Sequence, residues 1–148
     1  MNAQTERLTL SGPAGAIEAV RDSATLADGA APRGVAIIAH PHPLFGGTMD
    51  NKVVQTLARA FVQCGWTAVR FNFRGVGATA GVYDEGRGEL QDLLAVVEQV
   101  APAAVGQPLA LAGFSFGAFV TSHALDALWP TERVEKAVLV GTAASRFT

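Results

Sequence analysis

The sequence predicts an α/β fold: one mostly parallel sheet with helices on both faces, entered through an antiparallel N-terminal hairpin. Three observations carry this expectation. Short continuous apolar runs such as Val35-Ala36-Ile37-Ile38-Ala39 have the character of strands buried on both faces. Between such runs lie segments whose apolar residues recur every three or four positions, the period of a helix with one buried side. Ahead of them, two stretches alternate apolar and polar residues around a glycine-proline break, the pattern of paired antiparallel strands.

Taken in order, Glu6–Leu10 and Ile17–Arg21 form the hairpin arms on either side of Ser11-Gly12-Pro13-Ala14-Gly15. Asp28–Gly34 is a turn, and Val35–Ala39 is the first fully buried strand. Val53, Val54, Leu57, Phe61 and Val62 mark a helix that Gly65 stops. Val69, Phe71 and Phe73 belong to the next strand, and Leu90, Leu93, Leu94, Val97 and Val100 to the next helix, closed by Gly106-Gln107-Pro108. Leu109–Ala112 is a strand, Val120, Ala124 and Leu128 lie on a helix, and Ala137–Val140 is the last strand. Such alternation implies right-handed crossovers, and ligands of such sheets bind at the carboxyl ends of the strands.

The composition supports one folded unit. The chain has 148 residues, 49% of them hydrophobic and 16% charged, so residues 1–148 are read as a single domain with enough apolar material for a core. A formal charge of −2 provides no field to hold nucleic acid or an anionic membrane surface. Cys64 is the single cysteine, so an intrachain disulfide and a thiolate metal cluster are both excluded. The first residues lack a basic cluster followed by an apolar stretch, and no apolar run approaches the roughly 20 residues of a membrane span. A cytoplasmic, unprocessed protein is expected.

The loops after the strands carry the chemistry. Leu109–Ala112 runs into Gly113-Phe114-Ser115-Phe116-Gly117 and then directly into a helical pattern, which is G-x-S-x-G in the strand-turn-helix context that gives it meaning. The sharp turn thrusts Ser115 above the sheet, and Gly113 and Gly117 let strand and helix approach closely. The Phe116 amide, at the helix start, is aimed where a tetrahedral oxyanion would form. Read plainly, the same residues are only a glycine-flanked turn.

After the first buried strand the chain reads His40-Pro41-His42-Pro43-Leu44-Phe45-Gly46-Gly47-Thr48-Met49. A second oxyanion donor would come from this loop; proline has no N–H, so the candidates are the amides of His42 and Leu44, with His42 favoured. His40 and His42 as metal ligands lack a third and fourth ligand nearby, so no metal is expected. Both rings could equally do no more than pack within the loop. The following loop, Asn72 to Gly81, contains Gly75-Val76-Gly77, but further glycines keep it from opening a helix at once, so dinucleotide binding is disfavoured and no cofactor is expected. Arg74 is read as a buttress of that loop.

Together the stretches HPHPLFGGTMDN, RFNFRGVG and GFSFGA resemble the α/β-hydrolase superfamily, specifically its small lidless bacterial members. The similarity runs from about Glu6 to the last residue. The resemblance implies Ser115 as nucleophile, Phe116 and His42 at the oxyanion-hole positions, and Arg74-Gly75-Val76-Gly77 as the loop after the fourth strand. Thr79 stands where relatives often carry serine.

That family orders its triad as serine, then an acid, then histidine, on loops after later strands. Only 33 residues follow Ser115, and the one histidine among them, His123, lies roughly 12 Å of helical rise from the catalytic end, too far to be the base. Gly141-Thr142-Ala143-Ala144-Ser145 holds no carboxylate, while Asp126, Glu132 and Glu135 precede the last strand, away from the site. The expectation is therefore a domain incomplete at its C-terminus, with the last strands missing and the Ala137–Val140 edge open to self-association. The function expected is hydrolysis of a small-molecule ester, thioester or related acyl substrate. Its rivals are a non-catalytic relative that binds a ligand or partner, and a serine–histidine dyad using His42 as base.

Overall fold

A computed structural model of the chain describes residues 5–141. Its first two strands, β1 (Thr5–Gly12) and β2 (Gly15–Asp22), pair antiparallel from Thr5 opposite Asp22 to Gly12 opposite Gly15. After them the chain alternates: β3 (Val35–Ala39), α1 (Lys52–Gln63), β4 (Thr67–Phe71), α2 (Arg87–Val100), β5 (Leu109–Phe114), α3 (Phe116–Leu128) and β6 (Val134–Val140). The sheet order is β1-β2-β4-β3-β5-β6, with β4, β3, β5 and β6 parallel and β2 antiparallel to β4. This is the mostly parallel sheet with an antiparallel entry that the sequence predicts.

The alternating sides of the central strands build two apolar layers. Ile37, Val69, Phe71, Leu109 and Leu111 face α2 and α3, where they meet Leu93, Val96, Val97, Phe116 and Val120. The opposite face is made of smaller residues, Ala36, Ile38, Ala68, Ala110 and Ala112, on which α1 lays Val54, Ala58, Phe61 and Val62. Small strand residues let that helix sit close. Helices thus cover both faces.

The helix ends follow their sequence. Asn51 caps α1, its side chain accepting the Val53 and Val54 amides at 2.9 and 3.2 Å, and Gly65 follows with φ 92°, a left-handed exit that glycine adopts without a Cβ clash. No helix among the described residues is long and apolar enough to cross a membrane.

Three expectations are corrected. Strand β4 ends at Phe71, so Phe73 lies in the following loop, its ring turned back into the core against Phe71 and His40. Strand β6 begins at Val134, three residues early, because Glu135 and Lys136 sit on a strand that is mostly exposed on both faces and tolerates charge there. Glu135 consequently lies within β6 and not ahead of it. It still stands near Leu109, at the opposite end of the sheet from Ser115. The segment 142–145, read for a missing carboxylate, lies outside the described residues.

Candidate active site

Ser115 is the single residue between β5 and α3. Its backbone has φ 58° and ψ −116°, a conformation that L residues rarely adopt, and it reverses the chain from strand to helix in one step. The turn is held from both sides. The Ser115 amide donates to the Val140 carbonyl of β6 at 2.8 Å, and the Ser115 carbonyl accepts the Phe119 amide at 3.1 Å, the first bond of α3.

The two glycines of the turn are fixed by packing. A Cβ added to Gly113 would come within 2.5 Å of the Gly117 carbonyl carbon, and one added to Gly117 would come within 2.5 Å of the Ala39 carbonyl carbon. Strand β5, the start of α3 and the end of β3 therefore touch backbone to backbone.

His40 follows β3 and is fully buried. Its Nε2 accepts the Phe73 amide at 2.9 Å, and its Nδ1 lies 2.6 Å from the Pro41 carbonyl, so the ring is neutral with its proton on Nδ1. Burial lowers its pKa to about 4, opposed in part by the bond to Pro41. Nε2 thus joins the β3 loop to the β4 loop, while Nδ1 ties the ring to its own loop.

His42 begins a short 3-10 turn, Pro43–Phe45, and its Nδ1 accepts the Leu44 amide at 3.2 Å. Its carbonyl accepts the amides of Phe45 and Gly47. Its ring sits among three others, with centroids 4.7 Å from Phe45, 4.9 Å from Tyr83 and 4.9 Å from Phe116. Burial lowers the His42 pKa, offset in part by the negative charge of Glu89. His42 and Phe116, named separately by sequence, are therefore neighbours.

Arg74 reaches away from this cluster to α2. Its Nε and one terminal nitrogen donate to the two Asp92 oxygens at 2.8 and 2.9 Å, a bidentate pair that raises the arginine pKa further. Asp92 is buried, so the β4 loop is anchored to a helix that itself packs on the sheet. His123 lies on α3 against Phe119, rings 4.8 Å apart and near perpendicular.

Sequence reading missed a polar lattice beneath these loops. The Asn72 amide group accepts the Met49 N–H at 2.9 Å and donates to Glu18 at 2.8 Å, and the same Glu18 oxygen accepts the Ala78 amide. Thr79 accepts the Glu18 amide and donates to the Asn72 carbonyl. Glu89, fully buried, accepts the amides of Asp84 and Gly86 and so holds the start of α2. Only Glu89 carried a local signal, its place three residues after Gly86 at a helix start. Among the described residues no group of three or more histidine, cysteine, aspartate or glutamate side chains is arranged for a metal ion.

Known proteins share this fold. The family model described as serine aminopeptidase, S33, matches residues 30–146. A lidless α/β serine hydrolase from Xanthomonas campestris is 40% identical, with a TM-score of 0.88, over 100% of this chain and 66% of its own. An α/β serine hydrolase homologue from Coxiella burnetii is also 40% identical, with a TM-score of 0.79, over 94% of this chain and 62% of its own. An uncharacterized protein of Rickettsia prowazekii is 41% identical over 117 residues, which is 77% of this chain and 47% of that protein. The chain spans about half the length of that curated relative and just under two thirds of the two solved structures.

Proposed function

The chain belongs to the serine aminopeptidase S33 family and has the α/β serine hydrolase fold, and from that premise we propose that it serves the hydrolysis of esters, thioesters or related acyl compounds through Ser115. The observation that carries the reading is the strained Ser115 turn at the carboxyl end of β5, with the first amides of α3 directly behind it. A serine held at φ 58° where a helix begins is strained, and strain of this kind clusters at functional sites.

In this reading the Ser115 Oγ bonds to the acyl carbon, and the carbonyl electron pair moves onto oxygen. The Phe116 and His42 amides receive that oxyanion. Of the two candidate donors in the β3 loop, Leu44 has its amide committed to the His42 ring. The bond to the leaving group then breaks, and the leaving group departs with the proton given up by Oγ. Water hydrolyses the acyl-serine and restores the hydroxyl.

The proton carrier is not one of the three histidines. His40 uses both ring nitrogens, and His123 stands two turns along α3. The His42 Nδ1 accepts the Leu44 amide, so the neutral ring bears its proton on Nε2 and has no lone pair to offer Ser115 there. This argues against the serine–histidine dyad.

The test is labelling with an alkyl fluorophosphonate, read by intact mass and peptide mapping, beside hydrolysis of p-nitrophenyl acetate. In the protein as it is isolated from its own cells, where a base outside these three histidines can serve, labelling at Ser115, with hydrolysis that Ser115→Ala lowers by about a hundredfold or more, is the expected result. Absence of labelling, with hydrolysis unchanged in Ser115→Ala, would leave a ligand- or partner-binding relative as the better description.

A further inference from the structure

Three exposed apolar side chains stand on the two loops around Ser115. Leu44 is 63% exposed, Phe45 84% and Val82 78%. The β3 loop turns through Pro43 and the left-handed Gly46, and the Phe45 amide, not its ring, bonds to the His42 carbonyl. Apolar groups so placed, beside a site and not scattered singly, mark a surface that something apolar covers.

They are also continuous with the site. Phe116, the residue after Ser115, is fully buried and touches the rings of His42 and Tyr83, at 4.9 and 5.7 Å. His42 in turn touches Phe45 at 4.7 Å, and Val82 is the chain neighbour of Tyr83. An unbroken row of rings therefore leads from the Ser115 turn out to Phe45. Burial raises the Tyr83 pKa, with help from Glu89 and Glu85, and lowers that of His42, so both rings are neutral near pH 7. Uncharged rings form the whole row.

We propose that this row, two ring-to-ring steps of 4.9 and 4.7 Å from Phe116 through His42 to Phe45, is the acyl-chain rest of the enzyme, and that its substrates are esters or thioesters whose apolar acyl groups are long enough to reach Phe45 and the neighbouring loop of Val82. The inference rests on the hydrolytic reading of Ser115 and deepens it by naming the acyl class. Each methylene laid on the row is expected to raise kcat/KM about threefold, somewhat less than full transfer from water would give.

The experiment compares p-nitrophenyl acetate, butyrate, hexanoate and octanoate on the parent chain, Phe45→Ser, Val82→Ser, and a control, Trp129→Ser, whose exposed ring lies at the far end of α3. The expected result is an octanoate-to-acetate ratio that falls at least about tenfold in Phe45→Ser and Val82→Ser and is unchanged in Trp129→Ser. A ratio near one in the parent, or one that both loop variants preserve, overturns the proposal. A parallel titration of sodium octanoate and sodium acetate into Ser115→Ala separates the two readings. If hydrolysis is absent but octanoate binds more tightly than acetate, and Phe45→Ser removes that preference, the rest is upheld and the hydrolytic reading fails. If neither anion is preferred, the rest is overturned whatever Ser115 does.

Discussion

The Nε2 atom of His40 accepts the backbone N–H of Phe73 at 2.9 Å, across 33 residues of sequence. This bond requires a neutral ring. In the unfolded chain the ring titrates near its ordinary 6.5, whereas in the fold it resists protonation down to about 4. As pH falls below about 6.5 the unfolded state therefore gains a proton that the native state refuses. Stability present above pH 6.5 is lost progressively toward pH 4, by about 3 kcal/mol in total. Urea unfolding of the parent and of His40→Gln checks this: the difference between them should shrink as pH is lowered from 7 to 4.5. A difference that stays constant would contradict a neutral, hydrogen-bonded His40.

Arg74 and Asp92 form the second tie, and Asp92 is the more buried partner. Arg74→Leu leaves a buried carboxylate without its cation and should cost about 3 kcal/mol, whereas Asp92→Asn with Arg74→Leu should recover part of that loss. A double-mutant cycle on denaturation midpoints measures the coupling. Arg74→Lys should restore little, because an ammonium cannot reproduce the two parallel bonds.

Ser115→Gly should separate stability from activity. Glycine accepts φ 58° without penalty, so the strain held by serine is relieved, while the extra freedom of the unfolded chain opposes part of the gain. The net expectation is a variant about 1 kcal/mol more stable and without Ser115-dependent hydrolysis. Ser115→Val, β-branched at the same backbone angles, should be destabilised. Thermal melts of the pair decide the matter, and equal melting points would mean that the turn is not strained.

Gly113→Ala and Gly117→Ala should both fail badly, since each new methyl group meets backbone that no rotamer change can move. A loss of more than about 3 kcal/mol is expected for each. Ala118→Gly, one position further along α3, provides the comparison: it should cost about 1 kcal/mol, the ordinary price of glycine in a helix.

Much of this architecture is legible in the linear chain, and the reasons differ by element. The run from Val35 to Ala39 reads as a strand because both of its faces are buried, which removes every polar interruption. Strand β6 is harder, since an exposed edge admits Glu135 and Lys136 and breaks the apolar run that periodicity seeks. Ser115 and its glycines are visible because strand, turn and helix are contiguous. The division of labour between His40 and His42 is not, because it depends on Phe73 and Phe116, brought near by the fold. Glu18, Asn72 and Asp92 are silent for the same reason: a polar residue bonded across 54 or 18 positions looks, in sequence, like any surface residue.

The backbone contacts among Ala39, Gly113 and Gly117 also set how the protein wears out. Because the Ser115 turn has atoms in contact with the central strands, it should not soften while the rest of the molecule stays intact. Heat should unmake the Ser115 turn and dismantle the sheet in one event. Probe labelling at Ser115 and far-ultraviolet dichroism, followed along one temperature ramp, should then trace superimposable curves, and the shelf life of the site is the shelf life of the fold.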